Sequence, residues 1–318
     1  MSGIKIELKN IVKESSLTTF ELLKIMIPIS IIVKVLSELG LIKIFGNVLA
    51  PVMNLIGLPG DFGLVWATAM ATNIYGGLIV FFSLSTDNSF TVAQVTVLGV
   101  IILVAHNLPV EARITQKAGV RLWFMLSLRI FGAFVLGWLI HFFFTLFQLY
   151  QNKNTTLWTP GFQDPSIFYW VLGECKNYFM IFLVILGLLT LMHILKKSGV
   201  INRLNNLLEQ LLKLLGMSKN AAPITIIGMT LGLAYGGGLI IREAKSKLLT
   251  KKDTFFSLSL MGLSHSLIED TLLMVAIGAS LVGILLGRII FTIIVMFLLI
   301  KIINHLSPRI FKKYFTQS

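Results

Sequence analysis

The chain has 318 residues, of which 56% are hydrophobic and only 13% charged, and it carries a formal net charge of +13. A soluble domain carries roughly 25% charged residues, so this composition excludes a fold bathed only in water and makes lipid part of the solvent. The basic residues sit between apolar stretches, which points to membrane orientation and away from nucleic acid, and the single cysteine, Cys175, excludes an internal disulfide or a CxxC metal or redox pair.

Residues 1–16 carry Lys5, Lys9 and Lys13 beside Glu7 and Glu14. No short apolar core with a small-residue cleavage site follows, so a removed signal peptide is not expected and the segment reads as cytoplasmic. The apolar runs beyond it reach the roughly 20 residues that cross a bilayer as a helix, and they are continuous rather than alternating, which favours helices over a barrel. Spans are expected at about 17–39, 92–117, 122–150, 167–195, 254–279 and 281–304. Basic residues gather at the N-terminus and in 113–121, 196–219, 242–252 and 301–313, whereas 83–91, 151–166 and 278–283 are nearly free of them. The first group is therefore placed in the cytoplasm and the second outside.

Four further segments lie between the spans. Residues 41–56 and 200–215 alternate apolar positions at helical spacing with Lys43, Asn47, Arg203, Asn206 and Lys213, and read as amphipathic helices along the membrane surface. Residues 62–82 and 221–241 are apolar enough to cross, but charge puts both ends of each on one side. They read as re-entrant hairpins turning near Ala71-Thr72-Asn73 and Leu231-Gly232, with a plain crossing as the rival.

The order of elements repeats. At an offset of 159 residues, half the length, Gly40 falls on Gly199, Gly57 on Gly216, His106 on His265, Gly119 on Gly278 and Arg129 on Arg288. One residue further out of step, Tyr75-Gly76-Gly77 falls on Tyr235-Gly236-Gly237. Three crossings per half invert the second copy relative to the first. The expected fold is an all-α integral membrane protein of two inverted-topology repeats, each with three transmembrane helices, one amphipathic surface helix and one re-entrant hairpin. The repeats are 17–150 and 167–306, joined by an external linker at 151–166 and followed by a cytoplasmic tail at 307–318.

Polar residues inside spans are costly unless they meet protein, water or a partner, so they carry the chemistry. Span two holds Ala105-His106-Asn107-Leu108-Pro109-Val110-Glu111, and span five holds Ser264-His265-Ser266-Leu267-Ile268-Glu269-Asp270 at the matching depth. Pro109 is expected to break its helix and free carbonyls for a solute or cation. His265 and Glu269, four apart, would share one face of a continuous helix, with Asp270 pointing elsewhere. Inverted symmetry would bring His106 and His265 together near the midplane, where imidazole and carboxylate can relay protons, hold a divalent cation or bind a polar substrate. The alternative is an internal polar network that locks two broken helices. Asn73, Tyr75 and Tyr235, beside the glycine clusters, could stack on or hydrogen-bond a planar solute, or the glycines could serve helix packing alone. Arg129 and Arg288 are expected to pair with Glu111, Glu269 or Asp270.

With these paired motifs and the Tyr-Gly-Gly segments upstream, the chain resembles the prokaryotic nucleoside-recognition, or Gate, family. That family includes the membrane portion of ferrous-iron transporter B and the spore maturation proteins, and it is distantly likened to nucleoside transporters. The resemblance covers both halves and implies a transporter or permease-like protein with paired Gate modules. Ferrous-iron members use a GTPase domain and a cysteine near the membrane path. No GTPase loop occurs here and Cys175 falls away from the histidine pair, which argues against that mechanism.

The expected function is a multi-pass transporter of the cytoplasmic membrane, with both termini inside. It moves a nucleoside-like or other small polar solute by alternating access, with proton or cation coupling. The substrate site would comprise His106, Asn107, Glu111, His265, Ser266, Glu269 and Asp270, flanked by Asn73, Tyr75 and Tyr235. A divalent-cation carrier using His106, His265, Glu269 and Asp270 is the first alternative, and a non-transporting scaffold or assembly factor the second. No GxxxxGK(S/T), HExxH or GxSxG motif occurs, so neither enzyme activity nor a cofactor is expected. The partners are lipid and a small solute or ion, not nucleic acid, and a homo-oligomer is compatible with the sequence.

Overall fold

The computed structural model describes residues 2–85, 90–156, 166–245 and 249–317. Every named element among them is helical. The first half runs α1 (Ser2–Glu38), α2 (Leu41–Asn54), α3 (Phe62–Ala71), α4 (Ile74–Ser85), α5 (Val92–Val104), α6 (Leu108–Lys117) and α7 (Leu122–Leu146). The second runs α8 (Ile167–Lys197), α9 (Val200–Leu214), α10 (Ala222–Ala244), α11 (Lys251–Leu263), α12 (Glu269–Ala276), a π-helical turn (Val282–Gly287), α13 (Arg288–His305) and α14 (Pro308–Tyr314).

Among the described residues, four stretches are long and apolar enough to cross a membrane: 92–117, 122–146, 167–195 and 282–305. A fifth candidate is α1 with α2, bent by 93°. The bend begins at Gly40 (φ 67°), and Gly199 (φ 75°) starts α9 after α8 in the same left-handed conformation, which glycine adopts without a Cβ clash. Helices thus exist at both places where surface helices are expected, each set off by a glycine elbow. The span expected at 254–279 is divided into α11 and α12 by non-helical residues 264–268.

α3 and α4 fold back on one another. The rings of Phe62 and Phe81 lie 5.9 Å apart, whereas one straight helix would separate these residues by about 28 Å. The turn falls at Thr72 and Asn73, where the Asn73 side chain accepts the Gly76 amide proton at 3.0 Å and starts α4. In the second half, α10 departs from helical geometry at Gly232 (φ 81°, ψ 166°), the position at which a turn is expected.

α5 is buried along nearly its whole length, and α11 is buried likewise beyond its first turn. Both begin with a reciprocal capping box, Thr91 with Gln94 and Thr250 with Asp253. Sulfur packs directly on glycine along these helices, Met274 on Gly99, Met261 on Gly228 and Met125 on Gly262. Segments that charge groups on one face also meet in space. The Gly119 carbonyl and Arg121 amide bond to Gln317 and Phe315 of the tail at 2.9 and 3.0 Å. The Asn154 amide bonds to the Phe90 carbonyl at 2.7 Å, and its side chain donates to the Ile277 carbonyl at 2.9 Å.

Candidate functional site

The helical path through α5 stops at Val104 and resumes at Leu108, and the path through α11 stops at Leu263 and resumes at Glu269. Asn107 (φ 48°) and Ser266 (φ 44°) take the left-handed conformation at equivalent positions. The second break forms without a proline, so Pro109 is not what opens the first. It occupies the first turn of α6, where its missing amide proton removes no helical bond. Each break is tied by one backbone bond to the helix that precedes it in its own half: Asn107 donates to the Ala69 carbonyl at 2.9 Å, and Leu267 to the Met229 carbonyl at 3.0 Å.

The breaks present His106 and His265 to each other. Both rings are buried, and their Nε2 atoms are 3.3 Å apart. Each Nδ1 lies 2.9 Å from a carbonyl one turn back, that of Ile102 for His106 and of Met261 for His265. A carbonyl only accepts, so both Nδ1 atoms carry hydrogen and, in the neutral rings, both Nε2 atoms present lone pairs. Two lone pairs facing at this distance repel unless a proton or a cation lies between or beside them. The Asp270 carboxylate completes a set of three donors, all within 4.8 Å of one another, with its Oδ2 3.9 Å from His106 Nε2.

This corrects two sequence expectations. His265 and Glu269 do not share a continuous helix, because the chain is broken between them. Of the two adjacent carboxylates, Asp270, expected to point elsewhere, is the one that groups with the histidines, while Glu269 is half-buried in the first turn of α12.

Glu111 is buried between the histidines and Arg129. Its Oε2 is 3.3 Å from His265 Nε2 and accepts from Arg129 Nη1 at 2.6 Å. Arg129 is fully buried and also donates from Nε to the Val104 carbonyl at 2.8 Å and from Nη2 to the His106 carbonyl at 2.9 Å. It therefore closes the C-terminal end of α5, where freed carbonyls and the helix dipole favour a cation. The expected Arg129–Glu111 pair is formed.

Arg288 is equally buried but differently engaged. Among the described residues it donates only from Nη2, to the Thr271 hydroxyl at 3.2 Å, and its Nε and Nη1 have no partner. Asp270 Oδ2 and the Ser264 and Thr292 hydroxyls also lack hydrogen-bond partners. Among the described residues, no ion pair of Arg288 with Glu111, Glu269 or Asp270 within 4.0 Å is formed. Aspartate is one methylene shorter than the glutamate at the matching position.

Of the flanking residues, Asn73 spends its side-chain oxygen on capping α4, and Tyr75 packs half-buried against the core. The Tyr235 side chain lies outside the described residues. Ser266 stands close against Gly232, where any Cβ would meet its hydroxyl. Sequence reasoning missed Thr271 and Thr292, lone hydroxyls that give no signal in a single sequence, and gave no role to Ser264, which it quoted within the span-five motif. It also missed a buried chain between α1 and α8, where Tyr178 donates to Ser30 at 2.8 Å and Ser30 to Glu174 at 3.0 Å.

Residues 19–121 match the family model of Gate, described as nucleoside recognition. The resemblance drawn from the paired motifs is thus met, over residues 19–121, by a match to the Gate model. The chain is also 26% identical over 282 residues to the uncharacterized membrane protein YvoD of Bacillus subtilis (strain 168), covering 86% of this chain and 87% of that protein. No solved structure matches.

Proposed function

We propose that this Gate-domain membrane protein is a transporter that moves a small polar solute across the cytoplasmic membrane by alternating access between two inverted repeats. The observation that carries the reading is the contact of His106 with His265 at two matched helix breaks. Equivalent atoms of two copies touch where a twofold axis passes between the copies, and such an axis is the signature of paired transporter halves with a midplane site. Matched left-handed residues and matched capping boxes support the duplication, and the grouping of loops by charge and by contact supports the inverted threading.

The histidine pair is the coupling element in this reading. With both Nδ1 atoms committed to carbonyls, the facing Nε2 atoms take up one proton or one cation, and its arrival or departure makes or breaks the bond between the halves. A divalent-cation carrier is the second reading. It is favoured by the donor set His106, His265 and Asp270, in which each Nδ1 proton already goes to a carbonyl, as the outer bond of a metal-ligating histidine does. It is opposed by Arg129, which takes up the charge of Glu111. A scaffold role would call for a fully satisfied polar interior, and the unpartnered groups at Arg288, Asp270 and Ser264 disfavour it.

The test is uptake by protein reconstituted in vesicles. Replacing both histidines by alanine is expected to abolish solute movement while the folded protein remains in the membrane, and unchanged uptake would remove the site from the reading. Metal analysis of the purified protein separates the second reading: stoichiometric metal that is lost in Asp270→Asn would favour it.

A further inference from the structure

α1 and α8, equivalent helices at the offset of the repeat, pack against each other, and a polar group lies in their seam that the histidine site does not use. Glu174 and Ser30 are buried there; Tyr178 donates to Ser30 Oγ at 2.8 Å, and Ser30 donates to Glu174 Oε2 at 3.0 Å. Asn177, also buried, is three residues on along the same face of α8 and hydrogen-bonds the same carboxyl. Its side-chain oxygen has no partner among the described residues. A carboxyl inside a span is costly as a lone charge. Glu111 has the Arg129 guanidinium against it, whereas no basic side chain among the described residues stands beside Glu174. On its own helix Cys175 and Lys176 are exposed. From α1 the nearest charge on the face of Ser30 is Lys34, one turn on and paired with Glu38 at 2.7 Å. α12, also packed on α8, brings only the acids Glu269 and Asp270, and α9 joins the far end of α8. None of these supplies a counter-charge.

Every partner of Glu174 works in both directions. A hydroxyl donates or accepts, and an amide offers its N–H or, after a half-turn, its oxygen. With the carboxyl charged, Ser30 and the Asn177 amide both donate to it. With the carboxyl protonated, Ser30 still donates to one oxygen, and the new O–H finds its acceptor in the Asn177 oxygen. The number of hydrogen bonds is the same in the two states. Glu174 also lies two turns from the end of a membrane-length helix, about 10 Å along it, which keeps water near. The first half has no counterpart: the matching residues are Ser15, Thr18 and Thr19, and Ser15 donates to the Ile11 carbonyl at 2.8 Å. We propose that Glu174, with Ser30, Tyr178 and Asn177 around it, is a second proton-binding site, separate from the histidine pair. Its carboxylate takes one proton from water and returns it, and the seam between α1 and α8 changes charge by one as it does. The site does not depend on the transport reading.

The experiment is infrared difference spectroscopy of the full chain in lipid vesicles, reading the carbonyl stretch of a protonated carboxyl as pH is changed. Carboxyls elsewhere contribute alike to each variant and cancel between them. The expected result is a band that grows as pH falls from about 9 to about 5 and is lost in Glu174→Gln. In Asn177→Leu the band is expected at a different frequency, with its midpoint moved by about 0.5–1 pH unit, the weight of one hydrogen bond. A spectrum unchanged in Glu174→Gln overturns the proposal, as does a Glu174 band that stays constant over that range or one that Asn177→Leu leaves untouched. If Glu174→Gln does not fold, Tyr178→Phe decides in its place: a moved midpoint supports the site, and a band left as it was overturns it. Vesicles that show the Glu174 band but move no solute remove the transport reading and leave the site standing.

Discussion

In the first half the break of the helix is closed from within, since Arg129 holds the Val104 and His106 carbonyls and Glu111 together. In the second half the same break, with the same histidine geometry, leaves Arg288 Nε and Nη1, Asp270 Oδ2 and the Ser264 and Thr292 hydroxyls without hydrogen-bond partners among the described residues. The matched position carries Glu111 in the first half and Asp270 in the second. One break is held closed by its arginine, and the other keeps polar groups without partners among the described residues.

The comparison breaks most sharply at Glu111. Glu111→Gln leaves a buried guanidinium without its counter-charge and is expected to destabilise by about 3–5 kcal/mol. Asp270→Asn, which removes no formed ion pair with Arg288, should cost clearly less by the same thermal-unfolding measurement. Equal losses at the two sites would mean that the second arginine is paired after all. Next in size is Gly232→Ala. Its backbone lies where only glycine is at ease and its Cβ would meet Ser266, so a loss of about 1–3 kcal/mol is expected. Smallest is Pro109→Ala, expected to stay within about 0.5 kcal/mol because the break is held by Asn107 and not by the proline. A large loss of stability there would restore proline as the cause of the break.

Much of the frame was legible because lipid imposes it. Apolar length marked the spans, glycine at 40 and 199 marked the elbows, and the repeat placed His106 against His265 before any coordinates. The hairpin turn at Thr72 and Asn73 was likewise readable from its polar interruption. What misled was treating Pro109 as the breaker and the segment from His265 to Glu269 as continuous helix. The left-handed turns at Asn107 and Ser266 are held by tertiary bonds, from Asn107 to the Ala69 carbonyl and from the adjacent Leu267 to the Met229 carbonyl, which leave no periodic trace in sequence. The assignment of Asp270 rather than Glu269 to the histidines follows from that broken path, since an i to i+4 argument holds only on an intact helix. The Ser30–Glu174–Tyr178 chain was invisible for another reason, since its members come from two distant helices and Ser30 falls on the apolar Leu189 in the repeat.

The methionines that rest on glycines have a consequence in redox terms. Met261 lies against Gly228 and its carbonyl holds His265, while Met125 lies against Gly262 beside Arg129. A thioether is soft and unbranched, so helices can slide past it with little strain. A sulfoxide adds a polar oxygen where no space remains, and oxidants that reach these two sulfurs will jam the seam around the histidine pair while sparing every charged residue in it.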